Sequence, residues 1–261
     1  MHAIIPPHLR GFSRSPKRKA GKQIVPLYIV STPIGNMGDI SERAIVVLRE
    51  ADIIAAEDTR HSRHVLEKAG ALAKVTSYHD HNEKEKSHTL IEYLKQGKKI
   101  AVVSDAGTPG IADPAYRIVN AAAAENITII PVPGPCALIA ALTASGLPTD
   151  RFAFEGFLPP KTGKRRRKFE SLKTDDRTII FYESPHRILK SLEDVKVVYG
   201  DIPIVIGREI TKIHETFYRA PVSSVIATLT KETARGEFVL LFNLKTAGVY
   251  KAVAEEDNDD D

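Results

Sequence analysis

KIAVVSDAGTPGIADP, residues 99–114, joins the two signals that decide the fold. Its first part is a short apolar, β-branched run of the kind that forms a strand covered on both faces. Gly107, Pro109 and Gly110 then break the pattern, and an amphipathic stretch from Pro114 to Glu125 reads as a helix. The same unit recurs on either side. Apolar runs stand at IVPLYIVS (24–31), DIIAAE (52–57), KVTSY (74–78) and ITIIPV (127–132). Helical stretches stand at Ile40–Glu50, Arg60–Ala69, Glu83–Lys95 and Pro135–Ser145. This alternation predicts an α/β domain with a mostly parallel five-stranded sheet over residues 23–146.

Three helix starts carry capping signals: Asp39 with Glu42 at capping-box spacing, Asp113 before Pro114, and Ser184 before Pro185. Gly146 to Asp150 interrupts the alternation, so 147–150 is expected to link two domains. The second, over residues 151–246, offers strands at 151–157, 177–183, 202–209, 214–220 and 237–244, with helices near 185–196 and 222–232. Successive strands without a helix between them predict a mixed sheet there. The expected fold is thus two α/β domains, the first with a mostly parallel sheet and the second with a mixed one.

The 261 residues are 43% hydrophobic and 27% charged, enough for one large or two modest cores without metals or disulfides. One cysteine, Cys136, cannot pair within the chain, and no zinc-type spacing occurs, so no metal is expected and a reducing, cytoplasmic setting fits. No apolar run reaches the eighteen residues of a membrane span, and the first twenty residues lack a secretory apolar core. Residues 1–22 carry six basic side chains and no acid, and residues 251–261 carry six acids and one lysine. Of the net +4, residues 23–250 therefore hold only +3, which alone says little about nucleic acid. Both ends, 1–22 and 247–261, read as disordered arms.

In an open α/β sheet, ligands collect at the carboxyl ends of the strands. The loops expected there are Ser31–Asn36, Ala56–Arg60, Ser104–Pro114 and Pro131–Ala137, rich in Gly, Pro and small residues that let backbone approach a ligand closely. No G-x-G-x-x-G, G-x-x-x-x-G-K-[ST] or G-x-S-x-G occurs, which argues against dinucleotide binding, P-loop hydrolysis and the α/β-hydrolase elbow. Ser184 and His186 are too close in sequence to argue a triad.

The blocks STPIGNMGDIS (31–41), AEDTR (56–60), SDAGTPGIADP (104–114), PVPGPCA (131–137), FYESPHR (181–187), REITKIHE (208–215) and GEF (236–238) occur in an order that resembles the tetrapyrrole methylase superfamily. Within it, the chain is similar to the ribosomal RNA small subunit methyltransferase I family over roughly residues 24 to 244. Ala115 stands where that family usually has Gly, and Cys136 where it usually has Ser; both are small.

The resemblance implies S-adenosylmethionine bound between two α/β/α domains, a homodimer, and methyl transfer to the ribose 2′-hydroxyl of a cytidine in the decoding region of small-subunit ribosomal RNA. Carried onto matching positions, it places the cofactor against Pro33, Ser104, Asp105, Thr108, Ile111, Ala112, Cys136, Ala137, Tyr182, Glu183 and Arg208. For a proton acceptor the matched blocks offer Glu57, Asp58, His186 and Glu215, and for charge stabilisation Arg60, Lys212 and Arg208. Glu57 to Arg60 serve equally as the acidic first turn of a helix, and Lys212 to Glu215 as a polar hairpin edge. Lys161, Lys164, Arg165, Arg166, Arg167 and Lys168 put six cations in eight residues, a phosphate-binding cluster or a solvated helix start. A small-molecule tetrapyrrole methylase and a non-catalytic RNA-binding assembly factor are the competing readings.

Overall fold

A computed structural model describes residues 25–232 and 234–245. The two terminal arms expected from the sequence lie outside them. The first sheet comprises β1 (Leu27–Val30), β2 (Ile53–Ala56), β3 (Lys74–Ser77), β4 (Ile100–Val103) and β5 (Ile129–Val132). All neighbours are parallel, in the order β3-β2-β4-β1-β5. Strand alternation sends Ile53 and Ala55 to one face and Ile54 and Ala56 to the other. The first pair packs with α3 (Glu83–Lys95) and α4 (Tyr116–Ala124), through Leu90, Leu94 and Ile118. The second packs with α1 (Glu42–Glu50) and α2 (Arg63–Ala69), through Leu48 and Leu66.

The second sheet comprises β6 (Phe152–Phe157), β7 (Thr178–Glu183), β8 (Pro203–Arg208), β9 (Thr216–Pro221) and β10 (Phe238–Phe242). Its order is β6-β7-β10-β8-β9; only β6 and β7 run parallel, so the sheet is mixed. One face is covered by α6 (Thr162–Ser171), α7 (Ile188–Tyr199) and α8 (Val222–Glu232), around Phe169, Leu192, Leu229, Phe181 and Phe242. The other receives α5 (Ala137–Ser145), whose Leu138, Ala141 and Leu142 meet Ile180, Val205, Val239 and Leu241. Arg219 of β9 donates to the carbonyls of Ala144 and Ser145, placing a cation at the negative end of the α5 dipole. Ile34, from the loop after β1, joins the same cluster and couples the two sheets.

The capping expectations are corrected at all three helices. Ser41, not Asp39, caps α1 by accepting from the Ala44 amide; Asp39 ends a preceding 3₁₀ turn. Helix α4 starts at Tyr116, two residues beyond Pro114, and no side chain caps it, which leaves Asp113 in the loop. Helix α7 starts at Ile188, because Pro185 to Arg187 form a turn closed by the Ser184 carbonyl. Helix α2 begins at Arg63 rather than Arg60, and the Lys161–Lys168 cluster lies on α6, a helix beyond the two expected in this half.

Candidate active site

Because β1 to β5 are parallel, the loops that follow them emerge at one edge. From β2 the chain runs outward to β3, while from its neighbour β4 it runs past β1 to β5. Adjacent strands whose connections diverge leave a crevice between their loops, the place where open α/β sheets bind ligands. In this sheet that switch point falls between Glu57–Arg60 and Ser104–Asp113.

Its rim is built by local hydrogen bonding. Thr32 and Gly107 exchange two backbone hydrogen bonds, of 2.8 and 3.1 Å, tying the β1 loop to the β4 loop. The Thr108 hydroxyl lies 2.9 Å from the Ser31 hydroxyl and donates to the Pro135 carbonyl at 3.0 Å, which brings in the β5 loop. A Cβ on Gly134 would lie 2.9 Å from that of Ser31, so only glycine permits this approach. Pro33 and Ser104 are buried within the rim, whereas Ile111 and Ala112 are exposed at its lip.

The crevice is acidic. The Asp58 amide donates to Asp105 Oδ1 at 2.9 Å, and the Asp105 amide reaches Glu57 Oε2 at 3.4 Å. Desolvation raises the Glu57 carboxyl above its ordinary range despite that amide, with the charges of Asp105 and Asp80 adding to the rise. Burial and the Glu57 charge push Asp113 up to about 7. Asp58 behaves oppositely: the Arg60 side chain, bonded at 3.0 Å, holds its carboxyl down at about 2. Arg60 itself projects into solvent. Among the described residues, no three His, Cys, Asp or Glu side chains converge as a metal site.

Across from this rim stands the second sheet. Tyr182 accepts a 3.1 Å hydrogen bond from the Leu138 amide at the start of α5, beside Cys136 and Ala137. Burial and the nearby Cys136 raise its phenol well above the ordinary tyrosine range. Glu183, in contrast, is buried and saturated: it accepts from the Ser184 amide and the Ser191 hydroxyl, and pairs with Arg187 at 2.7 Å. Its side chain anchors the start of α7. Arg208 is likewise engaged within its own lobe, by the Arg235 carbonyl, Tyr218 of β9 and Glu232 of α8.

The remaining predicted residues sort by their partners. Lys212 pairs with Glu209 and Glu237 and lines a cavity of about 470 Å³ between Gly35–Met37 and Thr211–His214, so it joins the β1 loop to the β8–β9 loop. Glu215 is spent on the Thr211 amide at 2.6 Å. His186 is exposed. Within the basic cluster, Arg165 is only 1% exposed and bound to Asp194, the Pro159 and Pro160 carbonyls and Lys190 O. To meet phosphate it would have to leave Asp194, which would then keep only the half-exposed Arg166 as partner. Arg166 shares Asp194, and Lys168 pairs with Glu155. Lys161, Lys164 and Arg167 are exposed, with side chains in no ion pair among the described residues. Sequence reasoning passed over Asp113 by treating it as a helix cap; its place in the strand-following block Ser104–Pro114, next to the last residue, is the signal that could have found it.

These observations define a two-lobed α/β protein with an acid-lined crevice at the strand ends of its parallel sheet. The model of the Tetrapyrrole (Corrin/Porphyrin) Methylases matches residues 26–226. The chain is 50% identical over 218 residues to ribosomal RNA small subunit methyltransferase I of Escherichia coli O157:H7, covering 82% of this chain and 76% of that protein. It is 48% identical over 216 residues to the protein of the same name from a Synechocystis species, covering 82% and 77%. A crystal structure of diphthine synthase shares the fold, with a TM-score of 0.68 at 17% identity over 88% of this chain and 94% of that one. The chain therefore belongs to the tetrapyrrole methylase family and, within it, to the ribosomal RNA small subunit methyltransferase I family.

Proposed function

We propose that this protein is an S-adenosylmethionine-dependent methyltransferase of the cytoplasm. It acts as a homodimer on the ribose 2′-hydroxyl of a cytidine in the decoding region of small-subunit ribosomal RNA. The observation that carries the reading is the acid-lined switch point between the β2 and β4 loops, in a chain half identical to a protein named ribosomal RNA small subunit methyltransferase I. The donor set suits the cofactor. A sulfonium and an ammonium are drawn by the Glu57, Asp105 and Asp113 carboxylates, and Arg60, the nearest cation of this rim, is turned to solvent and held by Asp58. Ile34, Ile111, Cys136, Ala137 and Tyr182 supply apolar surface for a flat ring, and Pro33, Ser104 and Thr108 hold the loop backbone in place. When bound, the cofactor supplies an electrophilic methyl carbon.

The chain's own work is to orient the ribose and receive its proton as the carbon–oxygen bond forms. Asp113, pushed up to about 7, suits the second task, and Glu57, its proton affinity raised by desolvation, is a second acceptor close by. Asp58, held as an ion by Arg60, does not. The division into lobes at 147–150 fits this role, because α5 and the loop of Ile34 span the two sheets between which substrate and cofactor meet. Labelled-methyl transfer from the cofactor to small-subunit RNA, followed by nucleoside analysis, tests the reading. A 2′-O-methylcytidine is the expected product; label on a porphyrinoid instead, or RNA binding without any label, would establish one of the competing readings.

A further inference from the structure

Strand β6 contains an irregularity with a chemical consequence. It pairs in step with β7 through Phe152, Ala153 and Phe154, opposite Thr178, Ile179 and Ile180, but Phe157 then stands opposite Tyr182. Three residues of β6 thus span two of β7, a β-bulge. Gly156 takes φ +68°, and a Cβ there would meet nothing within 4 Å, so glycine serves the backbone conformation and not the space.

The bulge decides which way Phe157 faces. In an unbroken strand it would share a face with Ala153, on the side of α6. Displaced by one position, it joins Phe154 on the α5 face. There both rings meet Tyr182 edge-on, at centroid distances of 4.7 Å for Phe154 and 5.7 Å for Phe157. Tyr182 in turn holds the first turn of α5, next to Cys136. Phe154 is half-buried there, whereas Phe157 is 54% exposed, a large apolar ring offered to solvent at the end of the strand. Four residues on, Lys161 begins the row of exposed cations that continues with Lys164 and Arg167.

A half-exposed ring that a bulge turns toward the α5 side, where the two lobes meet, suits a splayed base, which stacks on aromatic rings in single-stranded nucleic acid sites. We propose that Phe157 is the stacking platform for a base of the RNA substrate. This rests on the RNA methyltransferase reading and adds to it the surface that receives the unstacked strand.

The test uses the full-length protein with small-subunit RNA and measures methyl-transfer kcat/KM and, by calorimetry, affinity for S-adenosylmethionine. F157A is expected to lose roughly ten- to a hundredfold in kcat/KM. Cofactor affinity should stay within twofold, F157W should restore most of the rate, and F157L should not. Three results would overturn the proposal: F157A at the wild-type rate, F157L as good as F157W, or a loss of cofactor affinity in F157A, which would assign the ring to the adenine instead. Absence of RNA methylation by the unmutated protein is a separate outcome and would count against the enzyme reading itself.

Discussion

Glu57 and Glu183 sit at corresponding places, each at the carboxyl end of a strand in its own sheet, and their surroundings differ in kind. Glu183 has an arginine, a hydroxyl and an amide on its two oxygens. Glu57 has one long contact to an amide and faces the charges of Asp105 and Asp80. The same contrast runs through the two lobes. Where the second lobe buries charge, as at Arg165 and Asp194, it buries a pair; the crevice of the first crowds like charges that solvent only partly relieves. A chain that neutralises its charges in one lobe and leaves them opposed in the other has no structural reason for the second arrangement. Burial and opposed charge raise the proton affinity of these acids, a cost that the proposed chemistry at the site would explain.

The contrast breaks most readily at Glu57 and Asp113. E57Q and D113N remove a proton acceptor while keeping the shape, and the expected loss in single-turnover methyl transfer is about 10²- to 10⁴-fold. In the unmutated enzyme the rate should rise with pH on a limb near 7, where Asp113 ionises, and D113N should flatten that limb. Full activity in both variants would mean that the crowded acids are not part of the reaction.

The second lobe is expected to fail differently. R165A leaves Asp194 buried with only the half-exposed Arg166 as partner, and unfolding in denaturant should show a loss of about 3–5 kcal/mol. The double variant R165L/D194L should cost less than R165A, since no unpaired charge then remains inside. A double variant as damaged as the single would show that the pair is worth more than its desolvation, contrary to the contrast drawn above.

The parallel sheet was legible because its central strands β2 and β4 are apolar runs buried on both faces, and β1, β4 and β5 are each followed by a loop rich in Gly, Pro or small polar residues; the edge strand β3, KVTS, is largely exposed. Helix caps were less so, since several polar residues near each start can accept the same amides; Ser41 and Asp39 are two positions apart and only the backbone conformation chooses between them. The charged cluster on α6 was visible, but composition cannot tell that Arg165 and Phe169, four residues apart, share the inward face of that helix. What a guanidinium meets inside depends on Asp194, 29 residues further on, which no local pattern announces. Phe157 was hidden for a related reason: period-two reading assigns it to the wrong face, and only the bulge at Gly156 corrects the count.

The cations left free on α6 sharpen the comparison at smaller scale. Replacing Lys161, Lys164 and Arg167 together by Ala should weaken RNA binding by ten- to a hundredfold at moderate salt. The slope of log affinity against log salt should fall by about two, at roughly 0.7 per phosphate contact for single strands. Replacing Arg166 and Lys168, already paired with Asp194 and Glu155, should change that slope far less. An equal effect from the two sets would mean that the ion pairs open to receive RNA.

The smallest effect expected concerns pH and stability, and its sign follows from the direction of one shift. Asp113 ionises near 3.8 when unfolded and at about 7 when folded, so between those values the folded protein holds a proton that the unfolded chain does not. Stability from this group is intact below about pH 4 and is lost as pH rises through 7, where the carboxylate must ionise beside Glu57. D113N carries no such penalty. Its stability relative to the unmutated protein should therefore grow between pH 4 and 7 and level off above, by about 2 kcal/mol once water at the crevice is allowed for. Thermal melts of both proteins across that range give the difference curve. A curve that stays flat would place Asp113 fully in water as an ordinary carboxylate, and the crowding that separates the two lobes would then rest on Glu57 alone.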